Sequence, residues 1–202
     1  MAYELIKKTI FFPEEGILAI GDLHLGYESM LKSQGVMLPF NQLDNTKQEI
    51  DKIIQDIKGR NQNLKKIILM GDIKHSFNFD KSEKLEIRDF LEFLEQYVQK
   101  KDIILIKGNH EKFELDNREY KDFQIENDII FTHGDKSYPE ILDKKIDTIV
   151  MAHLHPAITL KEGPKREKYK CYLIGKWKSK RLIILPSFIP LIAGTEISNS
   201  HK

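Results

Sequence analysis

The sequence predicts an α/β fold, in which β-strands alternate with α-helices. Five short β-branched apolar runs have the length and composition of buried strands, and two amphipathic segments separate the first three runs. The order strand, helix, strand, helix, strand is typical of βαβ units and of a mainly parallel sheet.

Each of the five apolar runs ends at a polar residue that could bind a metal ion. The runs and the segments that follow them are ILAI before GDLH, KIILM before GDIKH, DIILI before KGNHE, DIIF before THGD, and DTIVM before AHLH. In parallel sheets, ligands gather beyond the carboxyl ends of the strands. We therefore expect the five polar segments to lie close together.

Two segments between the runs have the periodicity of amphipathic helices, and the first is predicted to end at Gly59. Their apolar faces are Leu43, Ile50, Ile53, Ile54 and Ile57 in the first, and Ile87, Phe90, Leu91, Leu94 and Val98 in the second. After His155 the pattern changes to the shorter pieces AITL, KCYLIG and RLIIL. These pieces predict a second, more antiparallel sheet.

Length and composition predict one globular domain. The chain has 202 residues, of which 41% are hydrophobic, and this is enough for one sizeable core. We predict a single domain over residues 1–194 and a polar, disordered tail over residues 195–202. No signal peptide or transmembrane run is recognised, and the single cysteine, Cys171, excludes an internal disulfide. A cytoplasmic protein is expected.

Charge is nearly balanced overall, with 32 Lys plus Arg against 31 Asp plus Glu, so net charge says little about partners. The segment 161–181 differs, because it has nine basic and two acidic residues. It also places Tyr169, Tyr172 and Trp177 between the positive charges. The pattern could follow a nucleic-acid backbone, and an exposed hairpin with a solvated face explains it equally well.

Six of the seven histidines fall in the strand-end segments. They are His24, His75, His110, His133, His153 and His155, and Asp22, Asp72 and Asn109 stand at equivalent points. A single histidine there would more often be structural, but six together with carboxylates and an amide predict a metal site. Such ligands without thiolate favour Mn, Fe or catalytic Zn over structural zinc.

The predicted ligand set is too large for one metal ion. Two metal ions about 3.5 to 4 Å apart account for it, and a carboxylate must then bridge them. Because side chains alternate along a strand, Asp22 and His24 are predicted to project from one side of an extended segment. The same prediction holds for His153 and His155.

The series GDLH, GDIKH, GNHE, THGD and AHLH resembles the signature of the calcineurin-like metallophosphoesterase superfamily, in the same order from Asp22 to His155. The finer pattern is similar to archaeal phosphoesterases related to SbcD, the nuclease subunit of the SbcCD complex. DLHLGYE, GDIKH, and the stretch from HPAITLKEG through KYKCYLIGKW to LPSFIPL carry this likeness. The resemblance implies a four-layer αββα fold, in which two mixed β-sheets pack as a sandwich flanked by helices and the metal site lies at the carboxyl ends of the strands.

The resemblance also implies a role for each site residue. One metal ion would be held by Asp22, His24, Asp72 and His155, and the other by Asp72, Asn109, His133 and His153. Asp72 would be the bridge. His110 would be catalytic, either steadying the phosphoryl group or protonating the leaving oxygen. His75 is expected to contact the substrate phosphate, and a loop-capping role is its alternative.

Two residues depart from the family pattern. Ala152 stands where glycine usually precedes H-x-H, and alanine fits there if its φ is negative. Glu111 stands where aspartate often follows GNH, and it can still accept a hydrogen bond from a nearby imidazole. Neither departure removes a predicted ligand.

The resemblance implies a metal-dependent phosphoesterase, most simply a phosphodiesterase that acts on nucleic acid or nucleotides. Two divalent metal ions, Mn in the first place and otherwise Fe, Zn or Ni, would activate a hydroxide for attack on phosphorus. The alternative within enzymes is a phosphomonoesterase acting on protein or small molecules, and the alternative of another class is a catalytically silent scaffold subunit. We expect no membrane partner, and a homodimer stays open.

Overall fold

The computed structural model describes residues 2–39, 41–76, 81–111 and 118–197. In these ranges the elements are β1 Glu4–Ile6, β2 Thr9–Phe12, β3 Ile17–Ile20, α1 Tyr27–Ser33, α2 Gln42–Gly59, β4 Lys66–Met70, α3 Lys81–Leu94, β5 Ile103–Ile106, β6 Tyr120–Lys121, β7 Phe123–Glu126, β8 Ile129–Thr132, β9 Thr148–Met151, β10 Pro156–Glu162, β11 Lys165–Lys170, β12 Leu173–Trp177, β13 Lys180–Ile184 and β14 Thr195–Glu196. Short 3-10 helices cover Lys100–Asp102 and Pro139–Leu142. The predicted end of the first long helix at Gly59 is confirmed.

Two mixed sheets form the centre of the molecule, which confirms the predicted α/β class. The first sheet has the order β1-β2-β3-β4-β5-β6, and β3 through β6 are parallel. The second has the order β12-β13-β9-β8-β7, and β13, β9 and β8 are parallel. The two mixed sheets agree with the sandwich that the family resemblance implied, and the parallel order predicted for the first three apolar runs is found in β3, β4 and β5. The last two apolar runs form β8 and β9 of the other sheet, to which the sequence pattern alone did not assign them. Apolar composition identifies a buried strand but does not indicate its neighbours.

The two sheets pack face to face. Their inner faces share one apolar cluster, in which Phe12 and Ile68 of the first sheet and Phe131 and Val150 of the second are fully buried. The rings of Phe12 and Phe131 meet edge to face, with centroids 5.6 Å apart. The carboxyl ends of β3, β4 and β5 therefore lie beside those of β8 and β9, at one edge of the sandwich.

Helices cover the outer faces of the sandwich. On the first sheet, α2 and α3 bury the predicted apolar faces, Ile53 and Phe90 among them. Val98 is buried too, but it lies beyond the end of α3 at Leu94. On the second sheet, the 3-10 helix Pro139–Leu142 contributes Ile141 to a smaller cluster with Ile130 and Ile149. Within the described residues, no helix is both long and apolar enough to cross a membrane.

A third, three-stranded sheet has the order β11-β10-β14 and begins directly after His155. Its strand β14 corrects part of the tail prediction, because Thr195 and Glu196 pair with Pro156 and Ala157. The Glu196 carboxylate also accepts hydrogen bonds from the Thr159 amide, at 3.2 Å, and from its hydroxyl. Residues 198–202 of the predicted tail lie outside the described residues.

Candidate active site

The sandwich brings all nine predicted site residues to one edge. Three groups have ligand atoms within 4.8 Å of one another, namely Asp22 with His24 and His155, Asp72 with His133 and His153, and His24 with His75 and His110. Asn109 joins the second group, because its Oδ1 atom lies 3.2 Å from Nε2 of His133. The two histidines of the H-x-H segment therefore belong to different groups, His155 to the first and His153 to the second.

The backbone at these residues is not extended. Asp22, His24, Asp72, His153 and His155 have φ values of 52°, 44°, 46°, 65° and 45°. β3 ends at Ile20 and β9 at Met151, so strand alternation does not apply at the ligands. The predicted extended D-x-H and H-x-H segments are therefore wrong, although the side chains do converge. Left-handed conformations of residues other than glycine cost about 1 to 3 kcal/mol each and cluster at functional sites.

Asp72 lies between the two groups. Its Oδ2 atom is 3.8 Å from Nε2 of His24 and 3.5 Å from Nε2 of His133. Its Oδ1 atom accepts a hydrogen bond from the His110 amide at 3.1 Å. Burial opposes its ionisation, but His133, His110 and His24 together outweigh burial and lower the pKa of Asp72 to about 2. An ionised carboxylate at this position can serve both groups at once.

His133 is oriented by the backbone of the first sheet. Its Nδ1 atom donates to the Met70 carbonyl at 2.8 Å, so Nε2 faces the site. There, Nε2 lies 3.1 Å from Nδ1 of His153. Burial acts to lower the pKa of His133, but the carboxylate of Asp72 outweighs burial and raises it to about 9. The imidazole nitrogens and the Asn109 oxygen therefore point at one small volume.

His24 has the properties of a neutral metal ligand. Its side chain is 3% exposed, and both of its ring nitrogens are buried without a hydrogen-bond partner. Burial lowers the pKa of His24 to about 3. A buried polar atom without a partner is costly, and a divalent cation is the partner that neutral imidazole and carboxylate donors prefer. The residues present therefore fit a metal ion here.

His110 is held by its neighbour His75. Its Nδ1 atom is hydrogen bonded to the His75 carbonyl oxygen, so Nδ1 carries the proton and Nε2 faces the site. Nε2 of His110 is 3.7 Å from Oδ2 of Asp72. The ring can thus accept or deliver a proton next to the central carboxylate.

The ring of His75 faces the other histidines. Its centroid is 5.6 Å from that of His24, 5.8 Å from that of His110 and 4.5 Å from the Tyr27 ring. The capping in this loop comes instead from the buried Glu83, whose carboxylate accepts from the amides of His75 and Ser76 at 2.8 and 2.7 Å. The loop-capping alternative for His75 is therefore not supported, and its contact with substrate stays a prediction.

Glu111 has a role that the sequence did not predict. Its carboxylate accepts hydrogen bonds from four backbone amides, those of Asp72 (3.0 Å), Ile73 (2.8 Å), Lys74 (3.3 Å) and Gly108 (2.8 Å). The hydrogen bond from an imidazole that the sequence allowed is not among its contacts in the described residues. Burial, together with the nearby charge of Asp72, raises the pKa of Glu111 to about 7. The side chain joins the loop after β4 to the loop after β5.

Two glycines permit this close approach of the loops. A Cβ atom on Gly108 would lie 2.3 Å from Oδ1 of Asp72, and one on Gly71 would lie 2.4 Å from Nδ1 of His133. The position of Ala152 is explained in the same way, because its methyl group packs where Gly21 has no side chain. The φ angle of Ala152 is not positive, which confirms the condition that the sequence set for alanine.

The segment 187–189 also supports the site, a role that was not evident from the sequence. The amide of Ile189 donates to the Asp22 carbonyl at 3.2 Å, and that of Phe188 to the Gly21 carbonyl at 2.9 Å. Lys170 holds this segment, since its Nζ atom donates to the carbonyl and hydroxyl of Ser187 at 3.0 and 2.9 Å. The β10–β11 hairpin is thereby fastened to the loop that contains Asp22.

A model of the calcineurin-like phosphoesterase family matches residues 16–157, from the turn before β3 to the start of β10. The chain belongs to this family. No curated protein matches the sequence. The matched range contains every predicted site residue. The calcineurin-like family that the five motifs indicated is therefore confirmed.

One solved structure shows the same fold at low identity, and weaker matches accompany it. The nuclease MPE of Pseudomonas putida superimposes with a TM-score of 0.68 and 16% identity, over 98% of this chain and 93% of that chain. A single mutant of Vps29 from Entamoeba histolytica gives a TM-score of 0.44 and 13% identity, over 88% and 79%. A conserved protein of Streptococcus pneumoniae, described as a predicted phosphoesterase, gives 0.36 and 14%, over 91% and 75%.

We predict that Glu111→Gln destabilises the protein by about 2 to 3 kcal/mol, because an amide side chain has one acceptor oxygen and turns N–H groups toward backbone donors. Urea unfolding of the purified variant measures this loss. Glu119→Gln is the matched control, since Glu119 is exposed in a neighbouring segment. Equal free energies of unfolding for the two variants would contradict the role assigned to Glu111.

Proposed function

We propose that this family member is a metal-dependent phosphodiesterase that acts on nucleic acid or nucleotides. The observation that supports it is the position of Asp72, whose Oδ2 atom lies between the histidines of two separate ligand groups. Such an arrangement suits a pair of divalent metal ions that share one carboxylate. The finer likeness of the sequence to archaeal SbcD-related phosphoesterases supports nucleic acid as the substrate class.

The ligands of each metal ion follow from the groups. Asp22, His24 and His155 would hold one ion together with Asp72, and Asn109, His133 and His153 would hold the other with Asp72. When bound, two divalent ions, Mn in the first place, would polarise the phosphoryl oxygens and lower the pKa of a bound water molecule. The donor set of four imidazoles and three carboxylate or amide oxygens, without thiolate, suits Mn, Fe or catalytic Zn.

The protein itself supplies orientation and proton transfer. The hydrogen bond from Nδ1 of His110 to the His75 carbonyl holds Nε2 toward the site, where a protonated ring would donate to the leaving oxygen. The His75 ring lies beside it and would contact the substrate phosphate. Neither role requires His110 or His75 to bind a metal ion.

The choice between diester and monoester is made by comparing two model substrates. With Mn²⁺ present, we expect a higher kcat/KM for bis(p-nitrophenyl) phosphate than for p-nitrophenyl phosphate. Turnover of the monoester alone would replace the proposal with a phosphomonoesterase. Turnover of neither substrate by a protein that binds no metal would replace it with the scaffold alternative.

We predict that Asp72→Asn abolishes diester hydrolysis and lowers the metal content of the protein, since an amide cannot bridge two cations as a carboxylate does. Elemental analysis of the purified variant and the diester assay measure both effects. Asp147→Asn is the control, because Asp147 is exposed at the start of β9. Full metal-dependent turnover in the Asp72 variant would rule out the two-metal arrangement.

We predict a different outcome for His110→Gln. This variant should retain its metal ions, while kcat for a diester with an alkyl alcohol leaving group falls by about 10² to 10⁴, the usual contribution of a general acid. The kcat for bis(p-nitrophenyl) phosphate should fall less, because p-nitrophenolate leaves without a proton. Loss of metal together with activity would instead make His110 a ligand.

A further inference from the structure

The β10–β11 hairpin has two faces of different composition. Residues directly paired in an antiparallel ladder lie on the same face, and successive residues alternate between faces. The register therefore places Ala157, Thr159, Lys161, Arg166, Lys168 and Lys170 on one face. The other face has Ile158, Leu160, Glu162, Lys165, Glu167 and Tyr169. The first set is here called the basic face, because every charged residue in it is positive.

The exposed cations of the basic face form no ion pair within the part of the chain that the structure describes. Glu196 of β14 pairs with Ala157 on this face, and its carboxylate accepts hydrogen bonds from Thr159. On the other face, Lys165 forms an ion pair with Glu167 at 2.8 Å. Among the described residues, no carboxylate forms an ion pair with Lys161, Arg166 or Lys168. Lys161 and Arg166 are moreover direct cross-strand neighbours. Like charges at such positions are destabilising, so a bound anion would remove a real cost.

The basic face leads away from the candidate active site. β10 begins at Pro156, directly after the predicted ligand His155. At the root of the hairpin, Lys170 is bonded to Ser187, and the nearby Ile189 amide is bonded to the carbonyl of Asp22. From there Lys168 and Arg166 follow along β11 toward the tip, and both are exposed.

We propose that the basic face binds the phosphate backbone of a single nucleic-acid strand and leads it to the metal site. Lys168 and Arg166 are two residues apart on one strand face, which is about 6.7 Å and close to the spacing of successive phosphates in an extended strand. The hairpin presents a single row of basic side chains. One row can follow one phosphate backbone, whereas a duplex has two. The inference rests on the proposed diesterase function, since the bound strand would be its substrate.

The aromatic residues of segment 161–181 do not share this face. Tyr169 lies on the opposite face of the hairpin, and Trp177 lies in β12, in another sheet. The hydroxyl of Tyr172 donates to the Thr9 and Lys7 carbonyls, at 2.6 and 3.0 Å, so its ring is fixed against β2. Binding is therefore electrostatic and independent of base stacking, which predicts a steep dependence on salt and little dependence on base sequence.

The test is a variant with Lys161→Gln, Arg166→Gln and Lys168→Gln, compared with Lys52→Gln, Lys100→Gln and Lys101→Gln. The control triple changes the net charge equally on exposed residues of α2 and of the 3-10 helix before β5. Binding of the Mn-loaded proteins to a hydrolysis-resistant phosphorothioate single strand is measured across a salt series. For the hairpin variant, the slope of log K against log salt should become shallower by about 2, because three phosphate contacts are lost at about 0.7 each. The control should keep the slope of the unaltered protein.

Three results would overturn the basic face as a strand-binding surface. They are a slope equal to that of the control triple, a preference for duplex over single strand that the hairpin variant loses, and displacement of the strand by polyglutamate as readily as by unlabelled oligonucleotide. Hydrolysis of bis(p-nitrophenyl) phosphate is measured on the same samples and should be equal in all three proteins. If the unaltered protein hydrolyses no diester but the hairpin variant loses strand binding, the proposed function fails and the surface stands.

Discussion

The packing of the two sheets against each other determines where every candidate ligand lies. Phe12 and Phe131 meet edge to face between the sheets, and Ile68 and Val150 are fully buried beside them. Residues 129, 131 and 133 alternate to the same side, so the contact that buries Phe131 also turns His133 inward, where its Nδ1 atom reaches the Met70 carbonyl of the other sheet. Protein cores are close-packed, so this arrangement has little freedom to shift.

The loops that follow the strands carry energetic costs that the core alone does not explain. Five candidate ligands adopt left-handed backbone conformations, and the carboxylates of Asp22, Asp72 and Glu111 are all buried within this edge. Glu111 offsets part of the cost, because it satisfies four amides whose loops would otherwise have no partner there. The remaining negative charge and the partnerless nitrogens of His24 are what divalent cations would compensate. Metal binding and stability are then coupled in this protein.

The sequence predicted the elements and the members of the site better than their arrangement. Flat apolar runs identified β3, β4, β5, β8 and β9, and their polar ends identified residues that the structure brings together. Pairing was not predictable, because a buried run such as IIFT has no feature that chooses between sheets. The left-handed backbone at Asp22 and His153 was not predictable either, because aspartate and histidine adopt this conformation more often than most residues but still only in a small minority of cases. The sequence showed that Glu111 follows GNH, but its four hydrogen-bond donors are backbone amides, which every residue except proline has. Its role therefore could not be recognised from side-chain identity.

The charge of segment 161–181 shows what register adds to composition. Counted along the chain, nine basic residues mixed with three aromatic rings suggested one surface that combines charge and stacking. Once β10 pairs with β11, the period of two separates the same residues into two faces. On one, Lys161, Arg166 and Lys168 form no ion pair within the described ranges, and on the other Lys165 is paired with Glu167. The hydroxyl of Tyr172 donates a hydrogen bond to the Thr9 carbonyl in the first sheet, so this residue belongs to neither face. If β11 shifted by one residue against β10, the side chains of β11 would change faces, and each face would then contain both basic and acidic residues. The basic face therefore depends on the pairing register and on the turn that sets it.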